Sequence, residues 1–172
     1  MSKRVAAVVA DMFEDVEFWE PAKALKDAGH EVVTVGLMKG EKVKGKKKKT
    51  KVKIDQSFSD VMPGNFDALL IPGGYSPDKL RANEDAVEFV KDFMEKNKPV
   101  FSICHAPQIL VTADVLQGRT LTCYKSVIQD IKNAGAHFID KEVVVDGNLV
   151  SSRNPGDLPA FNKAIVEKLC ES

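Results

Sequence analysis

Short apolar runs recur along the chain, and between them the apolar residues fall at helical spacing. "RVAAVVA", Arg4 to Ala10, is apolar throughout after its first residue. A strand covered on both faces reads this way, whereas a half-exposed strand alternates. Phe18, Ala22 and Leu25 then fall three and four apart, which predicts a helix that Gly29 stops. "EVVTVG", ending at Gly36, and "FDALLIPGG", ending at Gly73 and Gly74, predict two more buried strands. Between them, from Lys39 to Lys53, lysines alternate loosely with Gly and Val and predict an exposed hairpin or excursion. Ala86, Val87, Val90, Phe93 and Met94 mark an amphipathic helix, and Val100 to Ile103 the next strand. The following helix is expected to run through Ile109, Leu110 and Leu116 and to stop at Gly118. "TLTCY" reads as a short strand, "SVIQDIKNAG" as a helix, and "EVVVDGNLVSSR" as two strands around an Asp-Gly turn. "GDLPAFNKAIVEKL" places Leu158, Phe161, Ile165 and Leu169 on one helical face. Strands alternating with helices imply a mainly parallel sheet covered on both sides. The expected fold is α/β, a flavodoxin-like three-layer sandwich.

Length and composition narrow the picture without changing it. A chain of 172 residues is about the size of one domain, and residues 1–172 are expected to form one. With 44% apolar and 29% charged residues, the composition is globular and excludes disordered and fibrous classes. The apolar run from Val5 to Ala10 is too short for a signal peptide core or a membrane span, so a cytoplasmic location with no membrane partner is expected. Cys104, Cys123 and Cys170 are odd in number and far apart, which suits neither a disulfide framework nor a zinc ribbon. His30, His105 and His137 are equally scattered, so no metal site is expected. Charge is balanced overall at 25 basic against 25 acidic residues, but nine lysines and one acid lie between Lys39 and Lys53. The remainder holds 16 basic and 24 acidic residues, an acidic body with one basic flap. Such a run is most simply a solvated face that protects a sheet edge. Nucleic acid or another polyanion is the less favoured partner.

In open parallel sheets, ligands bind beyond the carboxyl ends of the strands. Three such ends are unusual: "DMFEDVE" with Glu14, "PGGYSPD" with the double glycine, and Cys104-His105 within "PVFSICHAPQIL". All three should face one crevice. Pro107 fits a first helical position, which puts Cys104 between a strand and the first helical turn. Unpaired amides and the positive helix end there would favour the thiolate, the form that attacks carbonyls, by lowering its pKa. The competing reading is a buried core cysteine, against which the adjoining His105 and the double glycine weigh. Gly73 and Gly74 permit positive φ and close backbone approach, so their amides, with that of His105, are candidates to bind an oxyanion. They read equally as an ordinary strand-to-helix turn. Glu14 lies among Asp11, Asp15, Glu17 and Glu20, and periodicity alone does not choose between these acids.

Taken together, "ICHAPQIL", "LIPGGYSPDKLR", "FEDVEFWEP" and "EVVVDGNLVSSRNPGDLPAF" resemble the PfpI branch of the ThiJ/PfpI family, within the class I glutamine amidotransferase-like superfamily. The resemblance runs in order over essentially the whole chain. It implies Cys104 as nucleophile, His105 as its base partner, and Glu14 as a carboxyl group hydrogen-bonded near the sulfur, with Gly74 and His105 supplying oxyanion amides. It implies chemistry without a cofactor: proteolysis, conversion of methylglyoxal to lactate, or repair of glycated amines or thiols. The substrate would be a small carbonyl compound or a peptide, and thiolate addition to a polarised carbonyl links the three. It also implies self-association into dimers, often hexameric rings, in which an acidic residue after the double glycine reaches the histidine of a neighbouring subunit. The matching position is Asp78, where the family usually has the longer Glu, a difference that tilts the balance towards aldehyde chemistry. Ala106 stands where Gly is common. A different class of role is Cys104 as an oxidation sensor or stress-response group without robust hydrolase activity.

Overall fold

The computed structural model describes residues 1–172. In chain order the elements are β1 (Arg4–Val8), α1 (Asp15–Asp27), β2 (Glu31–Gly36), β3 (Lys42–Lys44), β4 (Lys51–Lys53), β5 (Gln56–Ser57) and β6 (Ala68–Ile71). There follow α2 (Ser76–Leu80), α3 (Glu84–Glu95), β7 (Val100–Ile103), α4 (Pro107–Thr112), β8 (Thr120–Leu121) and α5 (Ile128–Asn133). The chain closes with β9 (His137–Phe138), β10 (Val144–Asp146), β11 (Leu149–Ser152) and α6 (Leu158–Glu171). Seven strands form one sheet in the order β10-β11-β7-β6-β1-β2-β5, in which only β10 and β11 pair antiparallel. β3 and β4 form a separate hairpin, and β8 and β9 a separate parallel pair.

The unbroken apolar runs have the cause the pattern implied. Ala6, Val8, Leu69, Ile71 and Val100 point to one face of the sheet, against Phe89, Val90 and Phe93 of α3, Ile109 and Leu110 of α4, and Ile131 of α5. Val5, Ala7, Leu70, Phe101 and Ile103 point to the other, against Phe18, Ala22 and Leu25 of α1 and Phe161, Ile165 and Leu169 of α6. Alternate residues of one strand thus enter two cores, and the polar side chains buried in these strands are small ones, as at Thr34, Ser102, Ser151 and Ser152. β1, β6 and β7 are parallel neighbours, so the segments that follow them emerge side by side at the carboxyl ends of the strands.

One segment differs from expectation, and a second takes the hairpin form of the two expected for it. The helix after β7 ends at Thr112 rather than running to Gly118, because Asp114 adopts a left-handed backbone with φ 57°. Leu116 nevertheless reaches the core from the following turn. The lysine segment is not a free excursion: Val43 and Val52 are buried in the core shared with Phe13 and Ile54, while Lys42, Lys44, Lys51 and Lys53 face out. No helix is long and apolar enough to cross a membrane.

Candidate active site at the strand-to-helix elbow

Cys104 follows β7 directly and has φ 64°, a left-handed conformation that costs an L-residue roughly 1–2 kcal/mol. The sheet imposes it. The Cys104 amide donates to the Ser152 carbonyl at 3.1 Å, and its carbonyl accepts from the Tyr124 amide at 2.9 Å. The sharp turn aims the sulfur away from the sheet, 3.2 Å from Nδ1 of His105. The His105 ring stacks on Tyr124 with centroids 4.8 Å apart, and its Nε2 lies 3.3 Å from the Ser126 hydroxyl. Burial, then the Lys46 charge, lower the His105 pKa, so the imidazole is neutral at neutral pH. With a proton on Nε2 donated to Ser126, Nδ1 is the acceptor that faces the thiol. Ala106, with φ −51°, is right-handed and its methyl enters the core, so the family's glycine is not required there.

The double glycine brings the second segment against the first. Gly73 donates its amide to Glu17 Oε1 at 2.9 Å, and a Cβ there would overlap that carboxyl and lie 2.9 Å from the Cys104 Cβ. Gly74 has φ 76° and bridges to Phe13, so a side chain would strain the backbone and overlap the main chain of Met12 to Glu14. The Gly74 amide has no acceptor within the protein, and the His105 amide faces the Cys104 sulfur. That pair is suited to hold an oxyanion.

The acid beside the sulfur is Glu17, not Glu14. Glu17 is fully buried on α1, and burial together with the neighbouring Glu14 charge pushes its pKa up to about 8, so it is protonated at neutral pH. Glu14, one turn earlier, forms the pocket wall and pairs with Lys46 Nζ at 2.7 Å and Lys47 Nζ at 3.2 Å. The spacing 14, 17, 21 puts both acids on the helix stripe that continues through the buried Pro21. That stripe was the available signal, since an acid on a buried face needs a partner. The expected lowering of the Cys104 pKa is also corrected. Burial, followed by the charge of Glu17, pushes the thiol up, against the weaker pull of the His105 amide and Lys46. α4 has only six residues, too short for its dipole to outweigh desolvation.

A pocket of about 330 Å³ gathers Glu14, Glu17, Lys46, Gly74, Cys104 and His105. Asp78 is not among its walls. It is exposed in the first turn of α2 and bonds to no side chain of its own chain. Lys46, Tyr124 and Ser126 were invisible as site residues because each arrives from a turn remote in sequence from Cys104. All three cysteines are unpaired, with Cys104 and Cys123 buried and Cys170 exposed. No group of three or more His, Cys, Asp or Glu side chains is arranged to hold a metal ion.

Fold and site together define a flavodoxin-like α/β protein with a cysteine mounted on a strained strand-to-helix turn. The family model described as the DJ-1/PfpI family matches residues 3–168, and the chain belongs to that family. "Protein/nucleic acid deglycase 2" of Escherichia coli (strain K12) is 54% identical over 170 residues, covering 98% of this chain and 99% of that protein. "Putative cysteine protease YraA" of Bacillus subtilis (strain 168) is 53% identical over 169 residues, with coverage of 98% and 99%. The solved structure of a two-domain protein from Anabaena variabilis ATCC 29413, with DJ-1/ThiJ/PfpI-like and ferritin-like domains, matches with TM-score 0.95 and 43% identity. The match covers 97% of this chain and 48% of that one, so this chain spans about half of the two-domain protein.

Proposed function

We propose that the chain is a cysteine-dependent enzyme that adds the Cys104 sulfur to the carbonyl carbon of a small aldehyde or a glycated group. One observation carries the reading: a left-handed Cys104 holds its sulfur 3.2 Å from Nδ1 of His105. Kinship to proteins named as a deglycase and a cysteine protease supports carbonyl-directed chemistry.

In the first step His105 Nδ1 takes the thiol proton as the sulfur bonds to the carbonyl carbon. The carbonyl electron pair moves to oxygen, where the Gly74 and His105 amides receive it. The proton held by His105 then passes to that oxygen, while Glu17, protonated and neutral beside the sulfur, sets no negative charge against it. With methylglyoxal the product of this step is a hemithioacetal. Moving its C1 proton to C2 gives a lactoyl thioester, and water then releases lactate and restores the thiol. The overall change is methylglyoxal plus water to lactate plus a proton, which needs no external oxidant. In a dimer, the exposed Asp78 is the carboxylate that would approach the histidine of a second copy; within one chain the same Nε2 faces Ser126.

The test is methylglyoxal consumption by wild type beside Cys104→Ser, followed by casein hydrolysis with the same pair. A loss of roughly a thousandfold is expected for the variant. Equal rates would remove Cys104 as nucleophile, and Cys104-dependent casein cleavage without methylglyoxal turnover would turn the assignment to peptide hydrolysis.

A further inference from the structure

The lysine-rich segment lies against the site and is built to do so. Past β3, Gly45 bridges to Phe13, the Lys46 amide donates to the Phe13 carbonyl at 2.8 Å, and the Met12 amide donates to the Lys44 carbonyl at 2.7 Å. The Asp15 carboxylate then accepts from the amides of Lys47 at 2.9 Å and Thr50 at 3.3 Å. Gly45 has no room for a side chain, because a Cβ would overlap that carboxylate. Asp15 itself is buried. A solvated charge run needs no such latch. Its effect is to turn one of the nine lysines, Lys46, into the pocket, with Nζ 2.7 Å from Glu14 Oε2 and 5.9 Å from the Tyr75 ring centroid. The Glu14 side chain is 6% exposed, so the ion pair is closed on the protein side.

We propose that Lys46 is a positioning residue of this site, and that by neutralising the buried Glu14 carboxylate it permits Cys104 to give up its proton. The inference deepens the reading of Cys104 as nucleophile. An uncompensated carboxylate at Glu14 would oppose a second negative charge in the same pocket, whether on the sulfur or on a bound oxyanion. The groups facing that charge are Glu14 just before α1 and Glu17 on it, Lys46 and Lys47 from the hairpin turn, Tyr75 after β6, and His105 and Tyr124 around the elbow. Lys46 is the cation among them that lines the pocket; Lys47 reaches the other Glu14 oxygen from a more exposed position. Consistent with this geometry, the Lys46 charge acts on Cys104, His105 and Glu17 alike, and Glu14 in turn raises the pKa of Lys46, so its ammonium stays charged.

The experiment reads the thiol rather than turnover: the rate of Cys104 alkylation by iodoacetamide as a function of pH, by mass spectrometry. Lys46→Gln is expected to slow alkylation at pH 7 about tenfold and to move its midpoint up by about one pH unit, the equivalent shift. Lys46→Arg should keep the wild-type profile. Lys47→Gln should change the rate at most about twofold. The double variant Glu14→Gln/Lys46→Gln should recover most of the lost reactivity, because no buried charge then needs neutralising; a merely structural lysine would give no recovery. A wild-type profile for Lys46→Gln, or a double variant as slow as the single one, would overturn the proposal. Because alkylation does not depend on turnover, an enzyme reading that fails with Cys104→Ser would leave this result standing, and the reverse also holds.

Discussion

The elbow that presents Cys104 and the hairpin that presents Lys46 meet at one pocket but are built in opposite ways. The elbow grows out of the sheet: β7 is buried on both faces, and main-chain bonds to Ser152 and from Tyr124 fix the cysteine on either side. The hairpin has two strands of three residues each, with every lysine in them facing out; one valine of each strand reaches the core, and the turn beyond is held by one bridge, a few amides and the Asp15 carboxylate. One region derives its geometry from the core, the other from a latch. Where the sulfur sits is therefore set by the sheet, while the charge it experiences depends on a turn that the Asp15 carboxylate holds.

Substitutions on the two sides should separate these dependencies. The largest effect is expected at Gly74, where alanine meets both a positive φ of 76° and main-chain atoms of the segment before α1. Gly74→Ala should cost about 3–4 kcal/mol, adding left-handed strain to overpacking, and should lower the denaturation midpoint and abolish methylglyoxal turnover together. An unchanged midpoint would show that the elbow is not tied to the core.

Glu17, at the seam between the two regions, should give an effect that depends on pH. Below pH 4.5 both the folded and the unfolded chain hold its proton. Between pH 4.5 and about 8 only the folded chain does, so folding takes up a proton and stability falls as pH rises; above about 8 the loss is complete. Glu17→Gln removes this dependence. Relative to wild type, the variant should gain stability between pH 5 and 9 by at most about 5 kcal/mol, at roughly 1.4 kcal/mol per pH unit. Parallel curves from denaturant melts at the two pH values would contradict the buried proton.

The smallest cost in stability is expected at Gly45. Gly45→Ala pushes on the Asp15 carboxylate and should loosen the hairpin for about 1 kcal/mol. Cys104 alkylation should nevertheless slow as in Lys46→Gln, with the global midpoint nearly unchanged. A large drop in midpoint would mean that hairpin and core are one cooperative unit.

The sequence was most informative where burial acts on both sides of an element. β1, β2, β6, β7 and α3 were legible because two cores or one wide stripe filter their residues. β5 and β9, each of two residues, leave no periodicity to detect. The elbow and double glycine could be read because backbone constraints select particular residue types at fixed positions. Choosing between Glu14 and Glu17 required knowing which acid the α1 stripe carries down to the sulfur, three residues further on. Lys46 was hidden by its own neighbours: among nine lysines nothing marks one as inward, and the mark lies instead in Gly45 and Asp15, which hold the turn.

With both its N–H and its C=O committed to neighbouring chain segments, Cys104 has no slack with which to follow a substrate. Any difference in the size of molecule admitted must therefore be accommodated at the rim, by the exposed Tyr75 ring and the long aliphatic arm of Lys46. Under the proposed chemistry, selectivity among carbonyl compounds becomes a property of these two rim side chains, and it can evolve or be engineered there while the reacting atom stays where the sheet put it.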